Sequence, residues 1–341
     1  MEKGFKDEYM KIRIEDISYY IPSKIVENDV MESLINKNNQ LIPKGTLNRL
    51  FGIEKRHFAE SSEMVSDLAV KAATPIVQKV GKENIDFLIF SAACSDLIEP
   101  ATCNIIQYKL GLSCPAIDIK NACNSFVSAI TVASSLIKSK IYKNVLIVNG
   151  EKLSDAIQLA PKDIFDLKKH MAAYSLGDAG AAMLLTATKD NEASKMDYQS
   201  SYTNGNHWNL CTIKGGGSLH PHDATQNYFE GHTVELQKVI AKEGADFFHK
   251  SIRESGWNID EIKTVFTHQV SLSTFKLVSD ITTIPLGKFK QIFHLYGNTA
   301  AASIPLSMGL AKEAGELERG DKIAIIGLAA GISLSLQLLT Y

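Results

Sequence analysis

The order of patterns along the chain predicts an α/β fold with largely parallel strand pairing, built from two pseudo-symmetric halves. Two observations lead there. Short β-branched or apolar runs alternate with longer segments of helical periodicity, the signature of strands layered with helices. The chain also repeats itself in order and partly in wording. A helix ending near Gly81 precedes Asn84-Ile85-Asp86 and a strand over 87–92, and a helix ending near Gly256 precedes Asn258-Ile259-Asp260 and a strand over 264–267. Further on, a helix after Cys123 leads to Lys143-Asn144-Val145-Leu146-Ile147-Val148, and one opening near Asn298 leads to Asp321-Lys322-Ile323-Ala324-Ile325-Ile326. The duplication divides the 341 residues into 1–190 and 191–341, and Asn298 takes in the second half the place that Cys123 takes in the first.

Taken in order, residues 11–20 alternate apolar and polar and read as a strand, 28–36 as a short helix and 36–40 as a loop. Ser61-Ser62-Glu63 suits the capped start of a long helix over 64–80, bent at Pro75. The run 87–92 is a buried strand. Glu99-Pro100 stands just before a helix that stops at Gly111. From Ile117 a β-branched run turns through small and polar residues at Cys123 and continues as a helix to about Lys140. Residues 145–148, ending in Asn149-Gly150-Glu151, and 180–186 are further strands.

Composition bounds the function. Hydrophobic residues at 45% and charged residues at 22% are enough for a substantial core, and a formal net charge of −2 implies no nucleic-acid partner. The five cysteines form an odd set without a C-x-x-C pair or a histidine at zinc-finger spacing, which argues for a reducing cytoplasm and against disulfides or a structural metal. Residues 1–10 are polar, with no signal-type apolar stretch, and no apolar run elsewhere reaches the length of a membrane span.

Three positions invite chemistry. A thiol at Cys123, on a strand-to-helix junction, meets the positive end of a helix dipole that favours the thiolate, with backbone N–H groups nearby for an oxyanion. The same position also suits a small buried hydrophobe. His268 ends the second-half strand whose counterpart is 87–92, so both strand ends point into one crevice at the carboxyl edge of the sheets; otherwise it is a packed imidazole on a carbonyl. Asn298 lies among glycine and small residues, where it reads as a helix N-cap or as an amide facing substrate; both hold only if different atoms serve each role. Gly215-Gly216-Gly217 is a loop and not a phosphate cradle, since no Lys-Ser/Thr follows it.

Asn121-Ala122-Cys123, Leu176-Gly177-Asp178-Ala179-Gly180-Ala181-Ala182, His268-Gln269-Val270-Ser271 and Gly297-Asn298-Thr299-Ala300-Ala301-Ala302-Ser303-Ile304-Pro305 stand in the order seen in the thiolase superfamily. From about residue 11 to 341 the chain resembles the ketoacyl-synthase III branch. That resemblance implies a thiolase-like five-layered αβαβα fold, a cytoplasmic homodimer, and Claisen condensation through an acyl-cysteine. Cys123, His268 and Asn298 match the catalytic set, and the backbone N–H groups of Cys123 and Ala330 match the oxyanion hole.

Glu99, in Leu97-Ile98-Glu99-Pro100-Ala101-Thr102, stands where ordinary chain-initiating synthases carry an aromatic residue. With Asn149-Gly150-Glu151, Trp208-Asn209-Leu210-Cys211, the wording at 268–271 and the ending Ile326-Gly327-Leu328-Ala329-Ala330-Gly331, it makes the chain similar to the condensing enzymes of bacterial olefin biosynthesis. Those enzymes join two fatty acyl chains head to head, and their glutamate reaches across the dimer as a base. Read without the resemblance, Glu99 is a solvated loop carboxylate or a helix-entry residue. The tryptophan and arginine by which chain-initiating synthases grip the coenzyme A adenine would fall near Thr46 and Leu50, where neither stands, so Arg49, Arg56 and Trp208 become the candidate substrate-binding side chains. The implied substrates are acyl thioesters of coenzyme A or of an acyl carrier protein partner, with no further cofactor. The alternatives are decarboxylative condensation with a malonyl carrier and simple acyl transfer to an alcohol or amine.

Overall fold

The computed structural model describes residues 11–188 and 194–341; residues 1–10 and the expected division at 190/191 lie outside them. The strands are β1 Lys11–Tyr20, β2 Lys24–Glu27, β3 Lys55–Phe58, β4 Phe87–Ser91, β5 Ala116–Ile119, β6 Asn144–Glu151, β7 Ala179–Thr188, β8 Lys195–His207, β9 Cys211–Thr212, β10 Glu230–Gly231, β11 Thr264–Thr267, β12 Lys322–Ala329 and β13 Gly331–Thr340. The helices are α1 Asn28–Ile35, α2 Thr46–Phe51, α3 Val65–Val80, α4 Thr102–Leu110, α5 Ser125–Lys138, α6 Ile164–His170, α7 Thr233–Ser255, α8 Leu272–Thr282, α9 Phe293–Tyr296 and α10 Ser303–Glu313.

Two sheets carry the molecule. One runs β1-β7-β6-β4-β5 and the other β8-β13-β12-β11, so the second repeats the first strand for strand up to β4. Outside β11 a parallel bridge between Val265 and Phe289 marks the place that β5 holds in the first sheet. The pairing is not largely parallel, as the sequence suggested. β4–β5, β4–β6 and β11–β12 are parallel, whereas β1–β7, β6–β7, β12–β13 and β13–β8 are antiparallel. The reason is in the connections. Parallel neighbours need a long crossover, whereas β12 and β13 join directly through Ala330.

Alternation along the strands makes the layers. In β6, Val145 and Ile147 face a core shared with Phe126, Ile130 and Ile137 of α5, while Leu146 and Val148 face Ala69, Ala72 and Ile76 of α3. In β12, Ile323 and Ile325 join the first of these cores and Ala324 and Ile326 face Phe248 of α7 with Phe275 and Val278 of α8. Both sheets are covered on both faces, which is why their central strands read as near-continuous apolar runs. The result is five layers: α3 and α4, the first sheet, α5 and α10, the second sheet, then α7 and α8.

Local signals were followed with small shifts. The long helix begins at Val65 and not at the serines, because the Asp67 carboxylate accepts the Met64 N–H at 2.8 Å. It continues through Pro75 to Gly81, whose φ of 84° ends it. Gly111, at φ 64°, likewise ends α4.

Candidate active site

The turn that carries Cys123 is held from both sides. Ala122 adopts φ 46°, a left-handed conformation unusual for alanine, and this swings the chain from β5 into α5. The Ser125 hydroxyl accepts the Asn121 N–H at 2.7 Å and donates to the Ala122 carbonyl at 2.7 Å. Half-buried Cys123 packs against an apolar cluster that includes Leu153, Ile157, Leu167, Leu176 and Ala300.

His268 follows β11 and is buried. Its Nδ1 lies 3.0 Å from the Ser303 hydroxyl, which itself donates to the Ala300 carbonyl at 2.7 Å. With that hydroxyl hydrogen engaged, the network assigns the imidazole proton to Nδ1 and leaves Nε2 a lone pair. Burial pushes the imidazole down to about 4, against a smaller opposing effect of the Ala300 carbonyl, so the ring is neutral near pH 7.

Asn298 follows α9 and Gly297. Its backbone N–H donates to the Ser175 carbonyl at 2.7 Å, and its carbonyl accepts from the Gly177 N–H at 3.0 Å. The side-chain Oδ1 accepts the Ala300 N–H at 3.0 Å, a local cap that leaves the amide NH2 as the end for a ligand. Both expected roles are therefore compatible, on different atoms. Ala300, at φ 42°, is the common neighbour: it bonds to Asn298, its carbonyl lies against His268, and it belongs to the cluster on which Cys123 packs. Residues separated by more than a hundred positions in sequence thus converge on one turn.

The expected thiolate is not the resting state. Burial, then the negative charge of Glu151 and the neighbouring Cys211, hold the Cys123 thiol above its usual range, and its own backbone N–H opposes this only in part. Desolvation of a charge outweighs a helix dipole worth about 1 kcal/mol or less. The resting site therefore holds a neutral thiol at Cys123 and a neutral imidazole at His268 whose Nε2 carries a lone pair.

Glu151 is the site residue to which sequence reasoning gave no role. It ends β6 with no exposed surface, and its carboxylate accepts from the Ala93 N–H at 2.8 Å and the Cys94 N–H at 3.3 Å. Burial pushes it up to about 7. The available signal was a carboxylate closing a strand whose centre, residues 145–148, is wholly apolar.

The other expected residues are dispersed. Glu99 is exposed on the loop before α4, and the α4 N-terminus is capped instead by Asp118, which accepts the Thr102 and Cys103 N–H groups at 2.8 Å each. Arg49 is exposed on α2, its guanidinium on the Thr46 hydroxyl at 3.1 Å. Trp208 is 63% exposed just after β8. Arg56 corrects the reading: it has no exposed surface, because its place in the β2–β3 ribbon turns it inward, and its Nη2 donates to Asn28 at 2.7 Å. It cannot serve as a surface grip for a thioester carrier. Ala330 forms the turn between β12 and β13.

Comparisons with known proteins identify the family. Family models described as 3-oxoacyl-[acyl-carrier-protein (ACP)] synthase III and its C-terminal part match residues 117–204 and 252–341. The beta-ketoacyl-[acyl-carrier-protein] synthase III of Aliarcobacter butzleri is 31% identical over 328 residues, covering 93% of this chain and 94% of that one. The chain belongs to the 3-oxoacyl-[acyl-carrier-protein] synthase III family. The enzyme of the same name from Fusobacterium nucleatum is 28% identical over 94% of this chain and 96% of its own. Among solved structures, 3-oxoacyl-[acyl-carrier-protein] synthase III from Aquifex aeolicus superposes with a TM-score of 0.83 at 25% identity, covering 97% of this chain and 100% of its own. A histidine variant of OleA from Xanthomonas campestris gives 0.88 at 22% identity, covering 98% and 99%, a likeness of fold. The chain is a thiolase-superfamily condensing enzyme with the thiolase-like fold, an acyltransferase that forms carbon–carbon bonds by Claisen condensation. Among the described residues no helix is long and apolar enough to cross a membrane.

Proposed function

We propose that this enzyme condenses two fatty acyl thioesters head to head, without decarboxylation, to a 2-alkyl-3-oxoacyl thioester. The observation that carries the reading is the place of Glu99. It is exposed on the loop that enters α4, with Leu97 51% and Ile98 86% exposed on the same loop; α4, which carries the 86% exposed Tyr108, is capped by Asp118 of the edge strand β5. Exposed apolar side chains on elements tied to a free edge strand suit a second copy of the chain, and in the proposed homodimer Glu99 would reach the partner's acyl pocket.

The proposed roles follow from the resting charges. The Cys123 proton passes to Nε2 of His268 as the sulfur attacks the first acyl thioester, and the departing thiolate takes that proton back. Backbone N–H groups of Cys123 and Ala330 hold the oxyanion. The acyl chain lies along the cluster of Leu153, Ile157, Leu167 and Met171. Glu99 of the second copy then removes the α-proton of the donor. The Asn298 amide hydrogen-bonds the enolate oxygen, the carbanion displaces Cys123 from its acyl group, and the released thiolate takes up the proton that Glu99 removed, which restores both groups.

The curated relatives favour a second reading, decarboxylative condensation with a malonyl carrier, in which loss of CO₂ makes the base unnecessary. Purified protein given a long acyl thioester alone, or together with a malonyl thioester, separates the two by product mass. A 3-oxo product formed only with the malonyl donor overturns the head-to-head reading, and absence of an acyl adduct on Cys123 with any donor overturns the catalytic set. Glu99→Ala is expected to keep Cys123 acylation and to stop condensation.

A further inference from the structure

Asn124 stands at the N-cap of α5, the position where an asparagine side chain ordinarily accepts a backbone N–H of the first turn. It makes no such bond. Its amide instead reaches into the other half of the molecule, donating to the Ser333 hydroxyl at 2.9 Å and to the Ser335 hydroxyl at 2.8 Å, both on β13. Asn121, two residues before Cys123, donates to the same Ser333 hydroxyl at 2.9 Å and to Ser128 at 2.9 Å. Each amide NH2 thus has both hydrogens engaged, and one hydroxyl receives a donor from either side of Cys123.

The arrangement has a cost, which shows that it is not the relaxed choice for a helix start. The Asn124 Oδ1 is buried without a hydrogen-bond partner among the described residues. It lies over Gly327 of β12, where a Cβ would come within 1.9 Å of it. An unpaired buried carbonyl is a destabilising feature. What the side chain gains is a fixed link between two turns. Ser333 is the register partner of Ala329, so it anchors the strand immediately beyond the Ala330 turn.

We infer that Asn121 and Asn124 are positioning residues that, through Ser333, clamp the Cys123 turn to the Ala330 turn and so set the spacing of the two oxyanion-holding N–H groups. The inference rests on the acyl-cysteine reading above. Acyl transfer to Cys123 develops charge on a carbonyl oxygen and needs both donors in place. Alkylation of the same sulfur by iodoacetamide forms a carbon–sulfur bond with loss of iodide and makes no oxyanion. Loosening the clamp slows the first reaction and leaves the second alone.

The test compares both rates in unmutated protein, Asn124→Ala, Ser333→Ala and Ser333→Thr, with thermal melting to confirm folding. Acylation by an acyl-coenzyme A in a single turnover is expected to fall about 10- to 100-fold in the two alanine variants, somewhat less than loss of a whole donor, while alkylation stays within about twofold. Ser333→Thr keeps the hydroxyl and is expected to keep acylation. Asn124→Ala also removes the unpaired carbonyl, so it folds even if Ser333→Ala does not. Acylation at the unmutated rate in Asn124→Ala, or a parallel fall in alkylation, overturns the clamp. No acyl adduct in the unmutated protein overturns the acyl-cysteine reading together with it.

Discussion

Glu151 closes a buried strand with an apolar centre, and its burial has a consequence that can be measured at the level of this one side chain. Its folded-state value of about 7 lies above the ordinary 4.5, so the unfolded chain releases the proton first as pH rises. The stability this group contributes is complete below about 4.5 and is lost as pH rises through about 7. His268, pushed down to about 4, works in the opposite sense, losing its contribution as pH falls from 6.5 to about 4. Glu151→Gln isolates the first effect, because His268 cancels when variant and parent are compared at each pH. Relative to the parent, the variant is expected to gain on the order of 3 kcal/mol in urea unfolding between pH 4 and pH 8. A difference that does not change with pH would mean that Glu151 titrates as an ordinary carboxylate. None of this was legible in the sequence, where Asn149-Gly150-Glu151 served as a family feature, since a burial shift depends on what covers the residue. The same limit applies to Arg56, whose sequence neighbours Lys55 and His57 give no sign that it points inward while they do not.

At the scale of elements, the duplicated strand-and-helix pattern places α5 and α10 between the sheets, and the apolar residues of β6 and β12 divide by parity between the central core and the outer ones. Ile325 belongs to the central core with no exposed surface. Ile325→Ala is expected to destabilise by roughly 2–5 kcal/mol in denaturant unfolding, the range for deletion of a buried aliphatic side chain. The same replacement at Ile141, 61% exposed, is expected to change stability by less than about 0.5 kcal/mol. Equal costs at the two positions would contradict the layer assignment. The helix starts show what local reading misses. Asn124 has the residue type of an N-cap and is used elsewhere, whereas α4 is capped by Asp118, which lies sixteen and fifteen positions after the two N–H groups it accepts.

At the scale of the whole molecule, the free edge of β5 and the exposed Ile98 and Tyr108 describe a surface that a second copy would cover. Ile98→Asp places a charge there without touching the internal cores. It is expected to yield monomer in sedimentation or light scattering, to retain Cys123 acylation, and to lose condensation because Glu99 no longer reaches a partner. An Ile98→Asp protein that is monomeric and still condenses would place the base within one chain.

The sequence by itself determined the α/β class, the internal duplication, the strand-to-helix turn at Cys123 and the family, because these depend on short-range periodicity and on motifs whose order survives without coordinates. The tertiary structure decided the antiparallel pairing, the neutral thiol, the buried Arg56 and Glu151, and the use of Asn121 and Asn124 across the two halves. Each of these depends on which groups meet across the fold and how much water they lose in meeting, and neither quantity is carried by neighbours in the chain.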